Sequence, residues 1–141
     1  MRFLLDTNVV SELIKPRPNE AVMRWVSITD EDAIFLSAVT LAEIRYGVER
    51  LEPGARRLAL EKWVAEFLLE RFRSRILPID EAVAHTWGRV LARSERLGKR
   101  MALMDAFQAA CAEVHSLALV TRDDAGFNGF EGEIVNPWKI N

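Results

Sequence analysis

The chain has 141 residues, half of them hydrophobic, a formal net charge of −2 and a single cysteine. This length suits one domain that buries a sizeable core, and one cysteine excludes a disulfide within the chain. The charge gives no overall attraction to nucleic acid, so local basic patches would have to meet such a partner. No apolar stretch approaches the roughly 20 residues of a membrane helix and no signal peptide is recognisable, so we expect a cytoplasmic protein without a membrane partner.

Short apolar segments alternate with longer segments of helical periodicity along the chain. In chain order we predict strand 2–5, helices 8–14 and 19–27, strand 33–36, helices 41–51 and 55–72, strand 76–79, helices 81–97 and 101–114, strand 117–120 and a short final strand 134–135. Apolar strands separated by helices are typical of a parallel sheet. We therefore expect a single α/β domain over residues 1–141, with a small, mostly parallel β-sheet flanked by helices on both sides.

Acidic residues follow two of the predicted strands. Asp6 follows the first strand directly, and the stretch after strand 117–120 reads TRDD, with Asp123 and Asp124 at its end. Ligands of open parallel sheets bind beyond the carboxyl ends of the strands. Because an isolated buried carboxylate is costly, acids at this edge are expected to be paired, hydrogen-bonded or bound to a metal ion.

Two further acids lie in the early turns of predicted helices. Glu43 belongs to helix 41–51 and lies on a face apart from its apolar stripe. Asp105 lies early in helix 101–114. The apolar stripe of that helix is predicted to comprise Leu103, Phe107, Cys111 and Val114. Both acids therefore lie near helix ends that face the carboxyl edge of the predicted sheet.

The four acids together suggest a metal site. We hypothesise that the following carboxylates converge at the sheet edge: Asp6, Glu43, Asp105 and Asp123. Like charges in a small space drive some of the groups to protonate unless a cation compensates them. Mg²⁺ prefers oxygen ligands, works commonly with phosphate substrates and can activate a water for attack on phosphorus. Other residues can orient the metal ligands by hydrogen bonds without binding the metal themselves. The candidates are Thr7, Asn8 and Thr121.

Each acid also has an ordinary explanation. Asp6 suits a helix cap. Asp123 and Asp124 suit a turn before Gly126, and Glu43 alone suits a solvated helix surface. The conjunction of acids at one predicted edge, rather than any single acid, is what favours a site.

Several stretches of the chain match one known family in order and spacing. They read LLDTNVVSEL, SAVTLAEIRYGVERL, LMDAFQAACA and LALVTRDDAGF, and VNPW follows them. The specific features are an acid at a strand end, S-x-x-T-x-x-E-[IL], a D-x-x-x-A helix and T-R-[DN]. On these residues, which run from Phe3 to Trp138, the chain resembles PIN-domain ribonucleases and, among them, the VapC-type toxins of bacterial toxin–antitoxin pairs.

The resemblance implies a metal-dependent endoribonuclease that hydrolyses RNA phosphodiester bonds. The family's four acidic positions, both catalytic and metal-binding, fall on Asp6, Glu43, Asp105 and Asp123. Asp124, beside Asp123, either takes or shares the fourth role, or supports it without binding the metal. The implied ion is Mg²⁺, for which Mn²⁺ can substitute. The resemblance also implies a cognate antitoxin that occupies the site and a homodimer, with operator DNA contacted only through the antitoxin.

Two other functions remain open from the sequence. The protein either cleaves RNA or acts as a regulatory protein that binds nucleic acid and antitoxin with little or no turnover. A metal-dependent DNase is a further possibility, which a comparison of RNA and DNA substrates distinguishes. The apolar side chains of helices 8–14 and 19–27 either pack in the core or partly receive an amphipathic antitoxin helix.

Overall fold

A parallel five-stranded sheet forms the centre of the computed structural model, which describes residues 1–140. The strands are β1 (Phe3–Leu5), β2 (Ile34–Ser37), β3 (Ile76–Leu77), β4 (Ala118–Val120) and β5 (Ile134–Val135). Their order across the sheet is β3-β2-β1-β4-β5, and every neighbouring pair is parallel. The predicted sheet is confirmed, although β3 is two residues shorter than expected.

Helices connect the strands. They are α1 (Thr7–Leu13), α2 (Glu20–Ile28), α3 (Ala38–Glu49), α4 (Ala55–Trp63), a π-helical segment (Val64–Leu68), α5 (Leu69–Arg71), α6 (Glu81–Arg96) and α7 (Leu103–His115). Short 3₁₀ turns cover Glu31–Ala33, Asp124–Phe127 and Pro137–Lys139. Within residues 1–140, no helix combines the length and the apolar character that crossing a membrane requires.

The helices lie on both faces of the sheet and bury a core on each. On one face, α6 and α7 pack against Leu4 and Leu119. On the other, α1, α2, α3 and the π-helical segment pack against Leu5 and Val120. Successive side chains of a strand point to opposite faces, so strands covered on both faces need continuous apolar runs. The predicted placement of helices on both sides is confirmed.

Two helices differ from the predicted boundaries. α3 begins three residues early, because the Ser37 hydroxyl accepts a hydrogen bond from the Thr40 N–H (3.4 Å) and caps the helix. The predicted helix 55–72 is interrupted, since residues 64–68 wind as a π-helix between α4 and α5. Such segments form where a helix takes up an extra residue.

The buried face of α7 is made of alanines rather than of the predicted apolar stripe. Ala106, Ala109 and Ala110 have no exposed surface, whereas Leu103 at the start of the predicted stripe is 47% exposed. Small side chains let α7 approach the sheet and α6 closely, which places larger side chains at the rim of the contact. The prediction was wrong about Leu103 and right about Cys111, which is fully buried.

Candidate active site

The strand order brings two predicted site segments side by side. The chain continues from the central strand β1 to β2 and β3 on one side and later to β4 and β5 on the other. The β1–β4 boundary is therefore a topological switch point, where open sheets of this kind form a ligand crevice. Asp6 follows β1 and Thr121 follows β4, and the Asp6 N–H donates to the Val120 carbonyl at 2.8 Å.

Asp6 forms the buried floor of this crevice. Its Oδ1 accepts a hydrogen bond from the Thr7 N–H at 2.8 Å, and its Oδ2 accepts one from the Thr121 hydroxyl at 2.8 Å. Burial raises the pKa of Asp6; these two hydrogen bonds act in the opposite direction, and the negative charges of Glu43 and Asp123 add to the rise. Asp6 is thus a helix cap and part of an acidic group at the same time.

Glu43 lies on α3 and reaches the same edge. The Thr7 hydroxyl donates to Glu43 Oε1 at 2.7 Å, so the first residue of α1 is joined to α3 by one short hydrogen bond. The Thr7 hydroxyl also lies 3.2 Å from the Thr40 hydroxyl, so Thr7 contacts two successive turns of α3.

Asp105, in the first turn of α7, has the most perturbed carboxyl group of the site. Burial, and then the negative charges of Asp6, Glu43 and Asp123, raise the pKa of Asp105 to about 6. The half-buried side chain has no basic partner among the groups that shift its pKa. Asp6, Glu43 and Asp123 therefore lie near enough to Asp105 for their charges to raise its pKa.

Asp123 and Asp124 have different surroundings. The Asp123 N–H donates to the Thr121 hydroxyl at 3.0 Å, and the charge of Asp123 raises the pKa values of Asp6 and Asp105. Asp124 instead accepts a hydrogen bond from Lys139 at 3.0 Å, which lowers the pKa of Asp124. Asp123 therefore belongs to the acidic group, while Asp124 is turned to a basic side chain outside it.

Gly126 allows the close turn that holds Asp123. The Gly126 N–H donates to Asp123 Oδ1 at 3.1 Å, and a Cβ at position 126 would collide with the Asp123 carboxylate. Glycine therefore lets the backbone lie against this carboxylate without displacing the Asp123 side chain.

The supporting residues predicted from the sequence contact the acids or one another. Asn8 donates to the Thr121 hydroxyl at 3.2 Å and accepts from the Arg122 N–H at 3.3 Å. Thr121 in turn holds Asp6 and Asp123. Thr7 and Thr121 thus orient carboxylates directly, whereas Asn8 fixes the loop after β4.

A buried polar network beneath Glu43 escaped the sequence reasoning. Gln108 accepts from the Ser37 hydroxyl at 2.7 Å and donates to the Thr40 hydroxyl at 2.7 Å and the Thr7 hydroxyl at 3.4 Å. Ser37, Thr40 and Gln108 have no exposed surface. The available signal was the spacing: Ser37, Thr40 and Glu43 follow each other by three residues, and Gln108 lies one turn after Asp105.

The acids face one another without forming a compact ligand cluster. Among residues 1–140, no three His, Cys, Asp or Glu side chains lie close enough together to hold a metal ion as they stand. The donor chemistry nevertheless fits a hard divalent cation, since all four groups are carboxylates, and burial together with their mutual repulsion raises the pKa values of Asp6 and Asp105. A bound cation would remove that repulsion.

Comparison with known proteins agrees with this geometry. The family model of the PIN domain matches residues 3–131. "Toxin FitB" of Neisseria gonorrhoeae is 39% identical over 135 residues, which cover 96% of this chain and 97% of that protein. "VapC ribonuclease Y4jK" of Sinorhizobium fredii is 33% identical over 136 residues, which cover 96% and 97% of the two chains. A solved structure of FitAB bound to an IR36 DNA fragment superposes with a TM-score of 0.93 at 37% identity, covering 99% of this chain and 97% of that chain.

The parallel sheet, its switch point and the acids at its carboxyl edge define a class of α/β proteins with an acidic crevice. The match over residues 3–131 shows the family within that class. The chain belongs to the PIN-domain family, and its relatives include proteins named as toxins and VapC ribonucleases.

Proposed function

We propose that the protein is a metal-dependent endoribonuclease that hydrolyses RNA phosphodiester bonds, with residues 1–141 acting as one nuclease domain. The observation that carries the proposal is that Glu43 and Asp123 lie near enough both to Asp6, at the switch point of the sheet, and to Asp105 to raise their pKa values. A relative named as a VapC ribonuclease, matched over nearly its whole length, supports the choice of RNA.

The same four carboxylates are proposed as catalytic residues and as the ligands of Mg²⁺, or of Mn²⁺ in its place. When bound, the ion supplies charge neutralisation and activation of water for an in-line displacement at phosphorus. The chain's own residues do the positioning. Thr7 orients Glu43, and Thr121 orients Asp6 and the backbone of Asp123. No side chain is required as a nucleophile in this scheme.

We further propose that the protein is the toxin of a toxin–antitoxin pair in the cytoplasm. A relative named "Toxin FitB" and a solved FitAB structure bound to DNA support this role. In the proposal, a cognate antitoxin inhibits the enzyme and alone contacts operator DNA. A groove of about 500 Å³, with apolar side chains from α2 and the π-helical segment, suits an amphipathic antitoxin helix. Met23, Val26, Trp63 and Phe67 line it.

A homodimer is part of the proposal. Leu97, Leu103 and Met104 are 60%, 47% and 43% exposed around the turn from α6 to α7. Large exposed apolar side chains at one place mark interaction sites. We therefore propose that two copies of the chain associate through this turn, close to Asp105. Measuring the molecular mass of the free protein in solution tests the dimer.

The test of the enzymatic proposal is cleavage of a mixed pool of structured and single-stranded RNAs by the antitoxin-free protein. The assay is run with Mg²⁺, with Mn²⁺ and with EDTA, and DNA of the same sequences is included. We expect cleavage of RNA that needs the metal and disappears in Asp6→Asn and Asp105→Asn. Asp124→Asn, whose carboxylate pairs with Lys139, is the matched control and should retain activity.

Two results would overturn the proposal in different ways. Preferential cutting of DNA would make the protein a metal-dependent DNase. Binding of RNA and antitoxin without turnover by the folded wild-type chain would favour the regulatory alternative.

A further inference from the structure

A cavity between α1, α3 and α4 adjoins the acidic crevice. It has a volume of about 210 Å³, and two of its lining residues, Thr7 and Glu43, belong to the site described above. Further lining residues are Ser11, Ile44, Gly47, Val48, Arg56 and Leu60. We call this cavity the side groove. It is continuous with the carboxylates through Glu43, so a ligand bound at the acids can extend into it.

The side groove changes in character along its length. Its near end is acidic at Glu43, and its wall is apolar, with Ile44 and Val48 nearly buried in α3 and Leu60 facing them from α4. Arg56, in the first turn of α4, supplies a cation at the rim. An apolar wall ending at a positive charge matches a nucleotide, which combines a flat ring with a phosphate.

Arg56 is available for a ligand, in contrast to its neighbour. Arg57 is bound at 2.9 Å to both Glu49 and Glu61. For Arg56, by contrast, no carboxylate within residues 1–140 lies at ion-pair distance. A guanidinium with free donors at the rim of a cavity is suited to bind phosphate oxygens.

Gly47 keeps the side groove open. A Cβ built at this position meets no atom within 4 Å, so the glycine is not required by close packing inside the protein. Glycine in the middle of a helix also costs stability relative to alanine. Because Gly47 lines the cavity, a longer side chain here would project into the space that a ligand needs.

We propose that the side groove binds the nucleotide next to the scissile phosphate of the RNA substrate, with its base against the apolar wall and a phosphate at Arg56. The assignment rests on the proposed nuclease function and adds a subsite to it. A volume of about 210 Å³ lies below the roughly 300–1,000 Å³ of sites for drug-sized ligands, which suits a single base.

The experiment uses an RNA whose cleavage position has been mapped with the wild-type chain, and two forms of it that lack the base on the 5′ or the 3′ side of that position. Gly47→Leu should lower kcat/KM on the intact RNA by about tenfold or more, since the leucine side chain occupies the space that the base needs. On the abasic RNA whose missing base is the one bound by the groove, the same substitution should change kcat/KM less than about threefold.

Matched variants separate groove filling from damage to the fold. Gly88→Leu places the same side chain in the middle of α6, at a glycine that also has no neighbour within 4 Å, and should leave cleavage unchanged. Arg56→Ala should raise KM and flatten the salt dependence of log KM by about 0.7 to 1, as expected for one lost phosphate contact, while Arg89→Ala should not. Gly47→Ala adds only a methyl group to the side groove. Because alanine is a good helix former, this variant should fold.

Each outcome has one meaning. Equal loss on intact and abasic RNA, or no loss in Gly47→Leu, would overturn the subsite while the nuclease function stands. Weaker capture of the co-expressed antitoxin by Gly47→Leu, with RNA cleavage unchanged, would assign the groove to the antitoxin instead. Absence of any cleavage by the wild-type chain would remove the nuclease function and the subsite with it.

Discussion

At the scale of single residues, the site is defined by acidic side chains that repel one another. Asp6 is buried and Asp105 half-buried, and each lies near further carboxylates that raise its pKa. A carboxyl group whose pKa is higher in the folded than in the unfolded chain binds more protons when folded. Its contribution therefore makes the folded protein less stable as the pH rises between the two pKa values.

The first prediction concerns the decrease in the free energy of unfolding that ionised Asp105 causes. In EDTA, the wild-type free energy of unfolding should fall as the pH rises from about 4 to about 6, because the pKa of Asp105 is about 6 in the folded chain and near 3.8 in a free side chain. Asp105→Asn should be more stable than the wild type at pH 7, by about 1–2 kcal/mol once its partial exposure is discounted. Urea unfolding at pH 4.5 and pH 7 measures both quantities.

Asp124→Asn serves as the control for that measurement. Lys139 lowers the pKa of Asp124, so neutralising this residue removes a favourable contact and should give no gain in stability at pH 7. Equal stability of Asp105→Asn and the wild type at pH 7 would contradict the electrostatic interpretation of the acidic group.

The second prediction concerns Gln108. Gln108→Leu should destabilise the fold by about 1–3 kcal/mol, because it leaves the buried hydroxyls of Ser37 and Thr40 without the amide that they contact. Ser37→Ala should cost less in the Gln108→Leu background than in the wild type. A double-mutant cycle from urea unfolding measures this coupling, and strict additivity of the two substitutions would argue against the network.

The acids and the threonines that contact them could be predicted from the sequence, whereas the buried network around Gln108 could not. Asp6 and Asp123 follow apolar strands, and the end of a strand fixes where the following side chains lie. Gln108 looks like any polar residue on a helix, and its burial depends on how α7 packs against α3 and β2. That packing is a property of the tertiary structure, which periodicity alone does not contain.

At the scale of secondary structure, the differences between prediction and structure lie at helix ends and on α7. Ser37 both ends β2 and caps α3, so the helix begins before the first large apolar residue of the stripe. On α7 the alanines face inward. Periodicity weights large apolar side chains, so it placed Leu103 in the core, although close helix packing in this protein uses small ones.

The third prediction belongs to the end of α7. Ser116 caps this helix in the left-handed conformation (φ 55°, ψ 46°), which costs free energy in residues with a Cβ. Ser116→Gly should stabilise the protein by about 0.5–1 kcal/mol. Thermal unfolding checks the sign, with Ser27→Gly in α2 as a control that should be destabilising. A loss of stability in Ser116→Gly would contradict this assignment of strain.

At the scale of the whole molecule, the fold class followed from the alternation of strands and helices. The order β3-β2-β1-β4-β5 did not, because periodicity identifies strands without saying which of them are neighbours. That order nevertheless creates the site. It puts Asp6 beside Thr121 at a switch point, with α3 and α7 delivering Glu43 and Asp105 from the two faces of the sheet. The two cores thus fix the strands and helices that carry the four acids.

Measurement of Mn²⁺ binding tests the proposed metal centre most directly. Binding is monitored by the decrease of the electron-paramagnetic-resonance signal of unbound Mn²⁺. We expect the wild-type chain to bind Mn²⁺ in competition with Mg²⁺, and Asp105→Asn to bind it at least about tenfold more weakly, with Asp124→Asn unchanged. Equal Mn²⁺ affinity in the wild type and in Asp105→Asn would contradict a metal site built on these carboxylates.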